Sequence, residues 1–325
     1  MIGLIDVDST LPNFALMKIA AYYKKLGERV EFVRQGIYYE KIYASTIYTK
    51  SRLICEALMN KYSGKIEIGG SGWDIKKRLP PEIEACNADY SLYTAEMVAA
   101  RIKGIMSTVT RNRKAKQIID AGMGFSSRGC IRNCAFCSVY EKEGRLRQDQ
   151  EIKDIINPRS NTIILHDNNF TADPYCLEKI SEIRQRGLVV DINQGCDVRL
   201  ITEEIAAALS SIKHLRSLHY AWDLMEHENQ VLSGIKRLVK YIKPYRHMCF
   251  MLVGFNTNFD EDFYRFRRLV EMNIKPYVMI YNQEGDERLK HFARWVNARI
   301  YTQCRFEEYI PWVKTRGKQV MIYQK

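Results

Sequence analysis

Short apolar runs alternate along the chain with longer stretches in which every third or fourth residue is apolar. The first pattern predicts buried strands and the second amphipathic helices. In the first hundred residues Ile2–Val7, Val30–Val33, Lys41–Tyr48 and Lys65–Ile68 read as strands. A helix is expected after Pro12 and Asn13 through Leu26, closed by Gly27, because Pro before and Gly after are normal helix punctuation. A second helix is expected behind Ser51, a cap residue, with Leu53, Ile54, Ala57 and Leu58 on one face. Strands separated by helices imply βαβ units and a mainly parallel sheet. The fourth strand runs into Gly69-Gly70-Ser71-Gly72, a turn able to cradle a phosphate but weak as a signal.

The alternation resumes at residue 121. Strands are expected near Met123–Ser127 and at Thr162–Leu165, Leu188–Ile192, Leu218–Trp222, Met248–Val253 and Pro276–Tyr281. Helices are expected at Pro174–Arg186, Glu203–Ile212, Glu228–Ile242 and Asp260–Met272. These units occupy about 160 residues, whereas an eight-unit barrel needs ~250. The fold class is therefore α/β, with a partial open barrel or a large doubly wound sheet in this half. Between the halves, residues 101–119 hold six Lys/Arg and no acid, which reads as a linker or a solvated basic face. The expected division is 1–105, a basic linker 106–120, a second domain 121–285 and a C-terminal cap 286–325.

A length of 325 residues suits about two domains. Apolar residues at 46% and charged residues at 27% exclude a mostly disordered chain. No charge-free run reaches the ~18 residues of a membrane span. The start, MIGLIDVDST, lacks the basic segment of a signal peptide and reads as a strand. The net charge of +12 allows an anionic partner such as nucleic acid without showing one. Nine cysteines, an odd number in a long chain without a secretion signal, argue for reduced thiols and a cytoplasmic setting.

Three of those cysteines, Cys130, Cys134 and Cys137, form C-I-R-N-C-A-F-C in one short loop after a predicted strand. Such a loop can aim three thiolates at one point, one fewer than usually hold an iron–sulfur cube, which leaves one iron open. Gly124 and Gly129 permit close backbone approach, and Arg128 and Arg132 are placed to offset negative charge. Zinc would need a fourth ligand, and no His follows Cys137 closely. A disulfide plus a spare thiol is disfavoured by compartment. Cys55, Cys176 and Cys249 sit among apolar residues and read as small buried groups, while Cys196, near the site segment, reads as structural.

FSSRGCIRNCAFCSVY resembles the signature of the radical S-adenosylmethionine (SAM) superfamily, CxxxCxΦC with an aromatic, here Phe136, before the third Cys. The resemblance covers roughly residues 121–285. It implies a partial (β/α)6 barrel and a 4Fe–4S cluster on Cys130, Cys134 and Cys137 whose open iron chelates SAM. It further implies reductive cleavage of SAM to a 5′-deoxyadenosyl radical that abstracts hydrogen from a substrate, the cofactors carrying the chemistry. An external one-electron reductant, flavodoxin- or ferredoxin-like, is implied as partner. Residues 1–105 resemble, more weakly, the cobalamin-binding Rossmann domain that precedes the barrel in one subgroup: YASTIY, IEIGGSG and ADYSLYTAE fall at its strand-end Ser, Gly-Gly turn and last strand. Its DxHxxG motif is missing, the first His being His166, so cobalamin is not expected and the domain reads as vestigial.

Ligands in such sheets bind beyond the carboxyl ends of strands. By resemblance, Asp167 and Asn168 meet the SAM amino group, and Gly254 lies where adenine passes the backbone. Arg199 suits a carboxylate through its two-pronged donors, its competing reading being a salt bridge. Gln194 and Asp197 lie in the same segment; Asp223 could bind ribose or substrate, and Asn256, Tyr281 and Asn282 sit at later strand ends. Basic residues recur at Lys236, Arg237, Lys240, Lys243 and Arg246, and at Lys314, Arg316, Lys318 and Lys325, amid 20 tyrosines. Aromatics among basic charge suit nucleic acid, so radical modification of nucleic acid is the alternative enzyme reading. An iron–sulfur sensing protein without turnover is the non-enzyme one.

Overall fold

The computed structural model describes residues 1–281 and 286–309 and two short paired strands, Val313–Thr315 and Lys318–Val320. Asn282, Arg316 and Lys325, and the side chains of Lys314 and Lys318, lie outside the described residues. The chain is mixed α/β, built on parallel sheets. It forms two compact units. One is Met1–Asn133, Cys137–Asn168 and Gln185–Asp191; the other is Cys134–Phe136, Asn169–Arg184 and Ile192–Lys325. Among the described residues no helix is long and apolar enough to cross a membrane.

In the first unit Ile2–Asp6 pairs in parallel with Val30–Phe32 on one side and Lys41–Ser45 on the other, and Ile66–Gly69 completes the sheet. The helix Phe14–Lys25 starts where the Asn13 side chain accepts the Leu16 amide. Its Leu16, Met17, Ile19 and Ala20 pack on Ile2, Leu4 and Tyr43. Ser51, expected as a side-chain cap for the helix Arg52–Lys61, makes no capping bond. Its hydroxyl instead joins those that hold the Asp8 carboxylate.

The stretch 106–120, expected as a basic linker or a solvated basic face, forms a helix, Thr108–Asp120. The Ser107 side chain accepts the Thr110 amide at 3.2 Å, and Ala115, with Ile118 and Ile119, joins the core of Val98 and Ala99. A narrow apolar stripe suffices because Arg113, Lys114 and Lys116 all face solvent.

The Gly69–Gly72 turn is stitched to the adjoining strand: Thr46 N donates to Gly69 O at 3.1 Å and Gly72 N to Thr46 O at 3.2 Å. Nearby, the amides of Ile47 and Tyr48 and the Thr46 hydroxyl all donate to Asp8. A carboxylate of the chain thus takes the donors that an anion would use there. In the same unit Gly122–Gly124 pairs in parallel with the fully buried Thr162–Leu165, and Val189–Ile192 lies beyond it.

In the second unit His247–Val253 runs between Leu218–Ala221 and Lys275–Ile280, all parallel. Cys196 extends the sheet by one bridge to Tyr220. The helix Phe259–Glu271 opens with a capping box between Asn258 and Glu261. It packs on Glu287–Asn297 through aromatic pairs, Phe259 with Phe292 at 5.4 Å and Phe266 with Trp295 at 5.0 Å. The last strand would expose backbone at the sheet edge, but Asn297 covers it. Its amide oxygen accepts from Val278 N at 2.7 Å and its nitrogen donates to Val278 O at 2.9 Å. The sheet presents two chemically different faces. Cys249, Met251, Val253 and Val278 are buried, while Tyr277 and Met279 on the opposite face are 40% and 49% exposed.

Candidate metal centre

The cysteine loop starts from a braced stem. Asp167, fully buried at the end of Thr162–Leu165, accepts from the amides of Ser126 and Ser127 at 2.7 and 2.8 Å and from their hydroxyls at 2.6 and 2.8 Å. Asn168 accepts the Gly129 amide at 3.0 Å. Ser127–Arg128 pairs antiparallel with Arg147–Gln148, and Cys130 N donates to Gly144 O at 3.2 Å. Gly129 has φ +83°, and a Cβ there would stand 2.4 Å from Arg145 O, so no other residue fits the turn that delivers Cys130.

Cys130 and Cys134 are half-buried, Cys137 is exposed, and none of the three is in a disulfide. The Arg132 amide donates to Cys130 Sγ at 3.4 Å. Cys130 and Cys137 belong to the first unit and Cys134–Phe136 to the second.

Arg128, expected to offset cluster charge, is engaged elsewhere. It pairs with Glu84 at 2.8 Å, Asp149 at 2.7 Å and Glu143 at 3.6 Å, over the Phe125 ring. Three carboxylates already face this cation. His166 lies against Phe14 and Phe125, and burial together with Arg128 lowers its pKa to about 4. It is neutral at pH 7.

The strand-end residues of the second unit form a second group. The Phe136 ring meets Phe255 at 5.4 Å, and Phe255 meets Tyr281 at 4.8 Å, both edge-on. Gly254 precedes this aromatic row with φ +75°, and a Cβ there would stand 2.9 Å from Leu289. Asp223 accepts the Leu252 amide at 3.1 Å. Burial raises its pKa, partly offset by that amide and by Arg265 and Arg199. Arg199 places Nε and Nη2 on the two oxygens of Asp197, at 2.7 and 2.9 Å. Its charge is felt at Cys134 and Asp223, but its fork already grips the carboxylate two residues upstream.

Asp167, a candidate for the SAM amino group, is buried beneath the stem and accepts from Ser126 and Ser127. Arg199, a candidate for the SAM carboxylate, pairs with Asp197, the contact of its competing reading. Gln194 is exposed in a turn and Cys196 is buried.

No protein-family model matches the chain, and no curated protein matches it.

Two residues not anticipated from the sequence shape this group. Phe255 follows Gly254 directly in MLVGFN and was legible as an aromatic at a strand end. Arg265 is fully buried and donates to the carbonyls of Trp222, Asp223 and Leu252, tying together the strand ends that carry Asp223 and Gly254. Its signal was absent, since a mid-helix Arg ordinarily faces solvent.

Among the described residues no group of three or more Cys, His, Asp or Glu is gathered as a ready metal site. What fits an iron–sulfur cluster is the donor set: three thiols outside any disulfide on one loop, with a backbone amide turned to the first sulfur.

Proposed function

We propose that the chain is a radical SAM enzyme whose Cys130, Cys134 and Cys137 hold a 4Fe–4S cluster. The observation that carries this reading is the CIRNCAFC loop, with its thiols outside any disulfide and the Arg132 amide directed at Cys130 Sγ. When bound, the cluster supplies the electron that splits SAM reductively and so yields a hydrogen-abstracting radical. The chain's own part is placement and exclusion of water. Asp167 and Asn168 hold the stem of the loop. The Phe136, Phe255 and Tyr281 rings form an apolar wall beside the second cysteine's segment. Asp223, its carboxyl pushed up by burial, is the group suited to a ribose hydroxyl or to SAM's amino group. We read the parallel strands within 121–285 as the partial barrel and the sheet of 1–105 as Rossmann-like; the parallel pairing of their main strands supports both. The setting is cytoplasmic, with a flavodoxin- or ferredoxin-like reductant.

The test is anaerobic reconstitution. About four irons and four sulfides per chain are expected, with slow release of 5′-deoxyadenosine when SAM and dithionite are added. Cys134→Ala should lose both. A cluster that forms and reduces yet never cleaves SAM would favour the sensing protein, and failure to bind iron would overturn the reading.

A further inference from the structure

We propose that the N-terminal sheet region serves the cysteine loop through an ion-pair tie, Lys18–Glu84–Arg128, and that these three are positioning residues for the cluster. The proposal rests on the cluster reading above. Lys18, on the helix that covers the N-terminal sheet, is 2% exposed. A lysine buried that far is costly unless paired and hydrogen-bonded. It donates to both the backbone carbonyl and the Oε1 of Glu84, the latter at 2.7 Å. The same Oε1 accepts from Arg128 Nη2 at 2.8 Å. One carboxylate oxygen thus joins a helix of the N-terminal region to the residue two positions before Cys130.

The surroundings hold the tie in place. Phe14 lies under Lys18 with the nitrogen 5.1 Å from the ring centre, and Phe125 under Arg128 at 4.0 Å. The two rings are 6.0 Å apart. Asp149 and Glu143 fix the rest of the Arg128 fork. The backbone on either side of Arg128 is held by Asp167 and Asn168. Arg128 supplies what those bonds lack, an anchor outside the sheet that carries the loop. Thiolates that must share one cluster need such support, because a supporting shell left loose misplaces first-contact groups by an ångström or so.

The experiment compares Lys18→Met/Glu84→Gln with Lys41→Met/Glu67→Gln. The second variant removes an ion pair of the same sheet that does not touch Arg128. Each removes one charge of either sign, so Lys18 is not left buried and unpaired. In the cluster-free chain, amide exchange at Ser126–Cys130 should quicken on the order of tenfold in the first variant, the loss of one charged hydrogen bond, and stay unchanged in the second. In the reconstituted chain the first variant should also surrender iron to a chelator faster and show a shifted midpoint potential. Circular dichroism checks that both variants fold. Unchanged exchange at Ser126–Cys130 overturns the tie. Quickened exchange in the first variant, together with a wild-type chain that binds no iron, supports the tie and sinks the cluster reading instead. If the first variant fails to fold, Glu84→Asp replaces it; quickened exchange at Ser126–Cys130 is then the supporting result and unchanged exchange the overturning one.

Discussion

The carboxyl ends of two parallel sheets carry similar residues and use them differently. At the N-terminal sheet, the Asp6 side chain is fully buried and accepts from Tyr93 Oη at 2.6 Å, from Ser9 N at 3.1 Å and from Arg101. Asn13 donates to the hydroxyls of Ser9 and Ser45, both at 2.9 Å, and its own amide reaches Tyr93 Oη. The polar groups there satisfy one another. At the sheet of Leu218–Ala221, His247–Val253 and Lys275–Ile280, Asp223 accepts the amide of Leu252, on the strand that leads to Phe255 and its ring row, and its carboxyl is pushed up by burial. Closed networks stabilise a fold, whereas a desolvated carboxyl next to an apolar wall is where ligand chemistry collects. The same strand-end pattern therefore marks structure in one place and a candidate site in the other, and hydrogen-bond satisfaction tells them apart.

The largest effect should come from breaking the closed end. Asp6→Asn leaves Arg101, with its side chain 24% exposed, facing a neutral group. It should cost about 2–3 kcal/mol, toward the lower end for a broken buried pair. Urea unfolding measures it. Cluster content and SAM affinity should hold, and a SAM defect without a stability loss would reverse the assignment of the two ends.

Much of the fold was legible because its strands are apolar runs of the expected length. Thr162–Leu165 is found as expected, and His247–Val253 and Lys275–Ile280 within a residue. The helix Thr108–Asp120 was not, because a basic surface outweighs its narrow stripe, although Ser107 stood ready as its cap. At the site, the cysteine spacing was local and so readable. The partners of Asp167 are about forty residues away, and those of Arg128 are spread from Glu84 to Asp149. Such pairings arise only on folding. Asp197 lay two residues from Arg199 and could have been weighed more heavily.

A smaller effect should appear at the open end. Asp223→Asn should leave stability within about 1 kcal/mol, since losing the Leu252 bond is offset by relief of a buried charge. SAM affinity should fall on the order of tenfold, one charged hydrogen bond. The pH dependence has a definite sign. Folding raises the Asp223 pKa above its ordinary 3.8, so the folded chain binds the proton more tightly than the unfolded one. Wild type should therefore lose stability relative to Asp223→Asn as pH climbs from about 3.8 through the raised value, and the difference should level off above it. Denaturant midpoints across that range test this, and a wild type that gains stability relative to Asp223→Asn as pH rises would contradict it.

The smallest effect should come from Arg199→Lys, and it decides what Arg199 does. Lysine keeps the charge near Cys134 and Asp223 but cannot reproduce the fork on Asp197. Both partners are mostly buried, Arg199 at 17% and Asp197 at 5% exposed, so some stability is lost, but lysine can still contact one oxygen. The expected cost is about 0.5–1 kcal/mol. If Arg199 acts by charge, SAM affinity measured by equilibrium dialysis should stay within about threefold, less than the energy of one neutral hydrogen bond. If its fork instead gripped the SAM carboxylate, two charged hydrogen bonds would be lost and affinity would fall on the order of a hundredfold. Asp197 already occupies the fork at 2.7 and 2.9 Å, and releasing it would strand a carboxylate beside Asp223, whose own pKa Asp197 already pushes up. The geometry therefore favours the small effect, and a loss larger than that of Asp223→Asn would move Arg199 from the support of the open end to its ligand.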